Sequence, residues 1–188
     1  MSESNNSFYS RDELKSLGFK HVGQDVYISR KASLYGCGKM SIGNHVRVDD
    51  FCILSGKVEI GNYVHVAAYS ALYGGEEGIY VDDFANISSR VSIYSVSDDY
   101  SGETMTNPMV PDEYKKVTSA PVHIGKHVII GSTSVVLPGI IIAEGGSFGC
   151  FSLIKEDTEP WWIYTGIPCK KLRKRSTALL NLTEKFVQ

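Results

Sequence analysis

Ile42-Gly43-Asn44, Val48, Leu54, Ile60-Gly61-Asn62, Val66, Leu72: along this stretch an isoleucine, valine or leucine returns every sixth residue. The beat continues at Val81, Ile87 and Ile93, and again at Ile124, Ile130, Val136, Ile142, Phe148 and Ile154. Four residues after each there is often a small or β-branched residue, as at Val46, Cys52, Val58, Val64, Ser70, Ala85, Val91, Val128, Ser134, Ile140 and Ser152. Three hexads make a period of eighteen, the step from Ile42 to Ile60 and from Ile124 to Ile142. A fixed repeat of this kind sets the architecture before any single residue is weighed.

Side chains alternate across a strand every two residues, so the first and fifth positions of each hexad point inward. The pair between them makes the corner, and glycine, asparagine and aspartate gather there (Gly43-Asn44, Asp49-Asp50, Gly61-Asn62, Asp82-Asp83) because they tolerate turn geometry. Three such sides close a triangular prism of stacked parallel strands. Each coil buries its apolar face only against its neighbours. Sandwich repeats would instead show hairpin turns every eight to twelve residues, and few are present.

Outward from the repeat, Ser10-Arg-Asp-Glu13 is a capping-box pattern that predicts a short helix through Leu14 and Leu17, stopping at Gly18. The beat begins weakly at Val22, Ile28 and Leu34, and two extra residues around Gly36-Cys37-Gly38 delay it to Ile42. Gly74-Gly75-Glu76-Glu77-Gly78 adds three residues between Leu72 and Val81. Ile93 and Ile124 lie thirty-one residues apart where six would keep the beat, so about 25 are inserted. The insert, 97–121, is polar and holds Pro108, Pro111 and Pro121. It reads as a protruding loop, and a long loop on a rigid repeat is more often functional than idle. After Ile154 the beat stops. A tail with Pro160-Trp161-Trp162, Gly166-Ile-Pro168 and five basic residues in the six from Lys170 to Arg175 leads to a last helix, expected to cover the open end of the prism. The division is a helical cap at 1–20, the coil at 21–158, and a tail with helix at 159–188.

At 188 residues the chain is one domain with short appendages, long enough to bury a core. A net charge of -2 gives no bulk reason to expect nucleic-acid binding. There is no run of eighteen apolar residues for a membrane span. The polar start Met1–Ser7 does not read as a signal peptide. Cys37, Cys52, Cys150 and Cys169 form no CxxC pair, which predicts free thiols in a reducing cytoplasm.

Repeat and tail together resemble the hexapeptide-repeat, or isoleucine-patch, acyltransferases, particularly the sugar O- and N-acetyltransferases of surface-polysaccharide and nucleotide-sugar pathways. The matching residues are Pro121-Val-His-Ile-Gly-Lys-His-Val-Ile-Ile-Gly-Ser132, Val136-Leu-Pro-Gly139 and Thr165-Gly-Ile-Pro-Cys-Lys-Lys-Leu-Arg173, within a likeness from about Val22 to Arg175. The resemblance implies an all-β, left-handed parallel β-helix assembled as a homotrimer, with acetyl-CoA as co-substrate, a sugar hydroxyl or amine as acceptor, and no metal. Left-handedness runs against the usual crossover rule and rests on the resemblance alone.

Acetyl transfer from a thioester needs a proton acceptor, a donor for the developing oxyanion and two substrates held in contact. In galactoside- and antibiotic-acetylating members a histidine follows the strand where the long loop departs. Here that position is Asp98. The nearest histidine by coil geometry is His65, one coil earlier, so His65 is the expected base or proton shuttle, with Asp98 as second candidate. Asp98 or Asp99, from this chain or from the adjacent subunit, would orient the His65 imidazole or bind sugar hydroxyls, and Asp99, Tyr94 and Arg90 are the expected substrate contacts. His45, His127, His123 and His21 are weaker candidates, with His45 and His127 on outward corners. By position in the family, Ser132, Cys150 and Lys155 would line the coenzyme groove, and Lys170 and Arg173 would reach its phosphates. Members carry a lysine one residue after Lys155, where this chain has Glu156. A missing loop histidine is tolerable for an amine acceptor, which is already a good nucleophile. Two other classes share the prism: a zinc-dependent γ-type carbonic anhydrase, for which His65, His123 and His127 would be the set, and a non-catalytic scaffold.

Overall fold

The computed structural model describes residues 7–186; residues 1–6 of the expected cap and polar start, and 187–188 of the tail, lie outside that range. The chain winds into a left-handed parallel β-helix with three flat faces. The first face holds His21–Val22, Met40–Ile42, Val58–Ile60, Ile79–Val81, Val122–Ile124 and Ile141–Ile142. The second begins Tyr27–Ile28, Arg47–Val48, His65–Val66, Asn86–Ile87, Ile129–Ile130 and Ser147–Phe148, and the third runs from Ser33–Tyr35 to Leu153–Ile154. Register keeps each hexad's apolar residue on its counterpart: Ile42 pairs with Ile60, Ile60 with Val81, Val81 with Ile124 and Ile124 with Ile142. These ladders and the inward residues four places on are buried. At about 2–5 kcal/mol for each large-to-alanine change, this core dominates stability. The inward serines Ser70, Ser134 and Ser152 are also buried, and their hydroxyls donate to the carbonyls of Ser88 and Gly149, so no polar cost remains.

The corners differ from the expectation in one respect. The left-handed backbone falls one residue after the Gly-Asn pairs, on bulky residues: His45, Tyr63, Phe84 and His127 at the first corner, Phe51, Tyr69 and Arg90 at the second. Successive members of each corner stack along the prism, as His45 with Tyr63 at 4.6 Å and Tyr63 with Phe84 at 5.1 Å. Stacking at about 0.5–1.5 kcal/mol per pair offsets part of a backbone strain of about 1–3 kcal/mol. His127 is buried here, stacked on Phe84 at 5.0 Å, and is not a solvated corner residue.

All the interruptions leave from the third corner, where the third face returns to the first. Gly74 is needed there because a Cβ on it would sit 1.9 Å from the Lys57 carbonyl oxygen. The long insert departs through Val96–Ser97, which pairs antiparallel with Thr118–Ser119. The helix α1, Arg11–Ser16, starts at Ser10 with both capping-box bonds made.

The C-terminal end corrects two expectations. The coil continues past Ile154, because Trp162–Thr165 adds a rung to the second face with the buried Tyr164 beside Phe148. Its outer edge is then covered by the antiparallel strand Lys170–Lys174, not by the last helix. That helix, α2 (Leu179–Phe186), lies against the first corner, with Phe186 edge-on to Tyr63 at 5.0 Å and to Phe84 at 6.4 Å. Arg175 locks this arrangement by donating to the carbonyls of His127 (2.7 Å) and Gly145 (3.0 Å). Among the described residues no helix is long and apolar enough to cross a membrane.

Candidate active site

His65 opens a strand of the second face and points outward, with Val66 inward beneath it. Its ladder neighbours are Arg47 on one coil and Asn86 on the next. Nε2 lies 2.8 Å from Asp49 Oδ2, and Nδ1 lies 3.2 Å from Asn86 Oδ1. Asp49 also accepts from Arg47 Nε at 2.6 Å. Burial pushes the Asp49 carboxyl up, and the hydrogen bonds from His65 and Arg47 more than offset it, so it sits below the usual carboxylate range. Asp49 and Asn86, not Asp98 or Asp99, are therefore the groups that hold the imidazole within the chain.

Asp98 lies at the root of the loop, four residues beyond the third-face strand Ser92–Tyr94, and is exposed. Its carboxylate has no hydrogen-bond or ion-pair partner among the described residues. The chain does not bring it to His65: the two lie off different faces of the prism. Asp99 is turned into the loop, where its carboxylate accepts from the N–H of Ser101 (2.8 Å), the N–H of Thr104 (3.1 Å) and the Thr104 hydroxyl (2.9 Å). Bonds from Ser101 and then Thr104 hold it down at about 2. Tyr94 stacks on Tyr73 at 5.0 Å beside the loop root.

Arg90, Ser132 and Cys150 share the second corner on successive coils. Thr133 N–H donates to Ser89 O and Phe151 N–H to Ser132 O, and the hydroxyls of Ser89 and Ser132 lie 3.3 Å apart. Cys150 is exposed. Lys155 and Lys170 come together on a cleft of about 440 Å³ with Tyr164, Pro168 and Cys169 at the C-terminal end. Arg173 lies on the covering strand opposite Ile163. The basic run is smaller than it reads in sequence. Lys171 pairs with Glu159, Lys174 lies over the Trp162 ring at 4.3 Å, and Arg175 faces inward, its pKa lowered by burial. Lys170 and Arg173 are left for an anion. Among the described residues no three His, Cys, Asp or Glu side chains converge as a metal would need; His123 stacks on Tyr80 at 4.7 Å.

Sequence reasoning missed Asp49 and Asn86. The signal was present: Arg47 and His65 are eighteen residues apart, and Asn86 is twenty-one beyond His65, eighteen plus the three-residue insert.

Coil, external loop and a C-terminal cleft that carries Lys155 and Lys170 define the class, a hexapeptide-repeat β-helix of the kind that transfers acyl groups. The chain is 51% identical over 177 residues to the dTDP-4-amino-4,6-dideoxy-D-glucose acyltransferase of Escherichia coli, covering 93% of this chain and 92% of that one. It superposes with a TM-score of 0.95 on AntD, an N-acyltransferase from Bacillus cereus solved with dTDP and 3-hydroxybutyryl-CoA, at 52% identity over 97% of each chain. A serine variant of AntD solved with dTDP-4-amino-4,6-dideoxyglucose and coenzyme A gives 0.95 at 51% identity, over 97% of this chain and 98% of that one. No protein-family model matches. The chain belongs to the sugar acyltransferases of the hexapeptide-repeat superfamily and is an acyl-CoA-dependent enzyme.

Proposed function

We propose that the acceptor is the amine of a dideoxy amino sugar linked to thymidine diphosphate, and that the acyl group is acetyl. The observation that carries the acceptor is the near full-length likeness to an enzyme solved with that sugar nucleotide and coenzyme A. The amine nitrogen attacks the thioester carbonyl and the C–S bond breaks. The nitrogen gives up a proton, and amide and free thiol result. The chain must align the two substrates and offer a place for that proton.

Of the two candidates, Asp98 is the better proton acceptor, because a base must present a free lone pair. Its carboxylate is unpartnered among the described residues, whereas both ring nitrogens of His65 are taken by Asp49 and Asn86. His65 is then a positioning residue on the wall of the site. Asp98 and His65 lie off different faces, so a site using both needs a second chain, and a homotrimer with sites between prisms supplies one. Ser132 and Cys150 on the second corner, with Lys155, Lys170 and Arg173 at the C-terminal end, would be the contacts for coenzyme A. The coil at 21–158, extended by the rung at Trp162–Thr165, acts as the catalytic unit. A cytoplasmic setting agrees with four free cysteines.

The test is incubation with acetyl-CoA and dTDP-4-amino-4,6-dideoxyglucose, following free thiol and product mass. Transfer to hydroxyl sugars but not to this amine would sink the reading.

A further inference from the structure

The strand that carries Lys170 and Arg173 buries none of its side chains: all five residues of Lys170–Lys174 are exposed. Its backbone pairs along one side with Trp162–Thr165, and that pairing is broken once. Arg173 and Lys171 meet the consecutive residues Ile163 and Tyr164, so Leu172 between them has no partner and stands 63% exposed. Lys171 and Lys174 reach only Glu159 and Trp162, inside the same terminal segment. A bulged edge strand with no buried side chain takes its place from its two ends. At the turn end, Cys169 N–H donates to Leu153 O at 2.9 Å, and Leu153 N–H donates to Gly166 O at 3.1 Å, which ties the hairpin to the third face. The other end is fixed by Arg175.

Arg175 reaches out of the segment into the coil. Its N–H donates to Trp161 O at 2.9 Å. Its Nη1 meets the carbonyl oxygens of His127 at 2.7 Å, Gly145 at 3.0 Å and Gly146 at 3.5 Å, on successive turns of the first corner. The corner is closed tightly there, since a Cβ on Gly145 would lie 2.4 Å from the Trp161 ring. Among the described residues no carboxylate pairs with Arg175. A half-buried cation without an acid is costly, and what it gains is a set of charge-assisted bonds to fixed backbone oxygens.

We propose that Arg175 is a positioning residue for acyl-CoA: by pinning the far end of this strand to the coil, it sets where Lys170 and Arg173 present their charges. This rests on the reading that those two meet the coenzyme's phosphates, and adds the residue that places them. Arg175 does not line the C-terminal cleft, so its effect on the cofactor passes through the strand. Cations held in advance meet a phosphate without the ordering cost that a loose strand would bring to binding.

The experiment is a double-mutant cycle read by calorimetric titration of coenzyme A. It uses wild type, Arg175→Met, Lys170→Gln with Arg173→Gln, and all three changes together. Thermal midpoints and acetyl-CoA kinetics are measured on the same samples, with Arg175→Lys as the conservative variant. Arg175→Met should weaken coenzyme A binding by about fivefold or more and raise the KM for acetyl-CoA alike, with kcat at saturation within about twofold. Arg175→Lys, which keeps a charge and three donors, should restore most of the binding. In the Arg175→Met background the two glutamine changes should cost less than about twofold more, because the cations are already displaced. Should Arg175→Met fail to fold, the same cycle is run on Arg175→Gln. A lower thermal midpoint with undiminished coenzyme A binding makes Arg175 a structural residue only and overturns the proposal, as do fully additive losses in the cycle. Unchanged binding when Lys170 and Arg173 alone are replaced fails the cofactor-contact reading, and the positioning role with it.

Discussion

Nε2 of His65 lies 2.8 Å from Oδ2 of Asp49, a contact between neighbouring coils that the backbone bond from Asp49 N–H to Val66 O holds in place. A carboxylate beside an imidazole fixes the ring's orientation and tautomer. With Asn86 on the other nitrogen, His65 is braced on both sides.

If His65 positions substrate, His65→Gln should lower kcat no more than about tenfold, and Asp49→Asn should do much the same. A base removed outright costs about 10²–10⁴. Steady-state thiol release decides: a loss beyond a thousandfold in His65→Gln, with coenzyme A binding intact, returns the base role to His65.

Asp98→Asn should cost about a hundredfold or more in kcat, with the KM for acetyl-CoA little changed. The carboxamide keeps the shape and cannot accept the proton. Near-normal turnover by Asp98→Asn would show that no protein carboxylate is needed at the loop root.

Burial pulls His127 below the ordinary histidine value near 6.5. A depressed base binds its proton more readily in the unfolded chain. Its contribution to stability is therefore full above about pH 6.5 and falls as pH drops below that. Thermal midpoints should decline from pH 7.5 to pH 5, and His127→Phe, which keeps the stack on Phe84, should flatten part of that decline. Equal pH slopes in the two proteins would remove His127 as the cause.

Lys170→Gln with Arg173→Gln should raise the KM for acetyl-CoA by about tenfold or more and weaken its dependence on salt, since each exposed cation–phosphate contact is screened. Dephospho-coenzyme thioesters should lose less than the full cofactor in the same variant. Lys171→Gln, by contrast, should affect the tail's stability more than cofactor binding, because Lys171 is already paired with Glu159.

Most of the fold was legible because burial follows the hexad. Ile42, Ile60, Val81, Ile124 and Ile142 are one ladder in sequence and in space. The site was less legible. His65 was identified as a residue while its partners were not, because the insert at Gly74–Gly78 breaks the eighteen-residue count to Asn86. Asp99 read as a substrate ligand beside Asp98, yet three local hydrogen bonds claim it. Arg175 closes the run of five basic residues in the tail, and the backbone carbonyls of His127 and Gly145 turn it inward.

The sequence by itself determined the stacked coil, the capped first helix and the protruding loop, since each follows from a local pattern of apolar, turn and capping residues. Only the tertiary structure decided where α2 docks, which corner keeps its aromatic rings bare and which groups hold His65. Those choices depend on side chains from different coils meeting across a register, and a period read along the chain gives their order without giving their contacts.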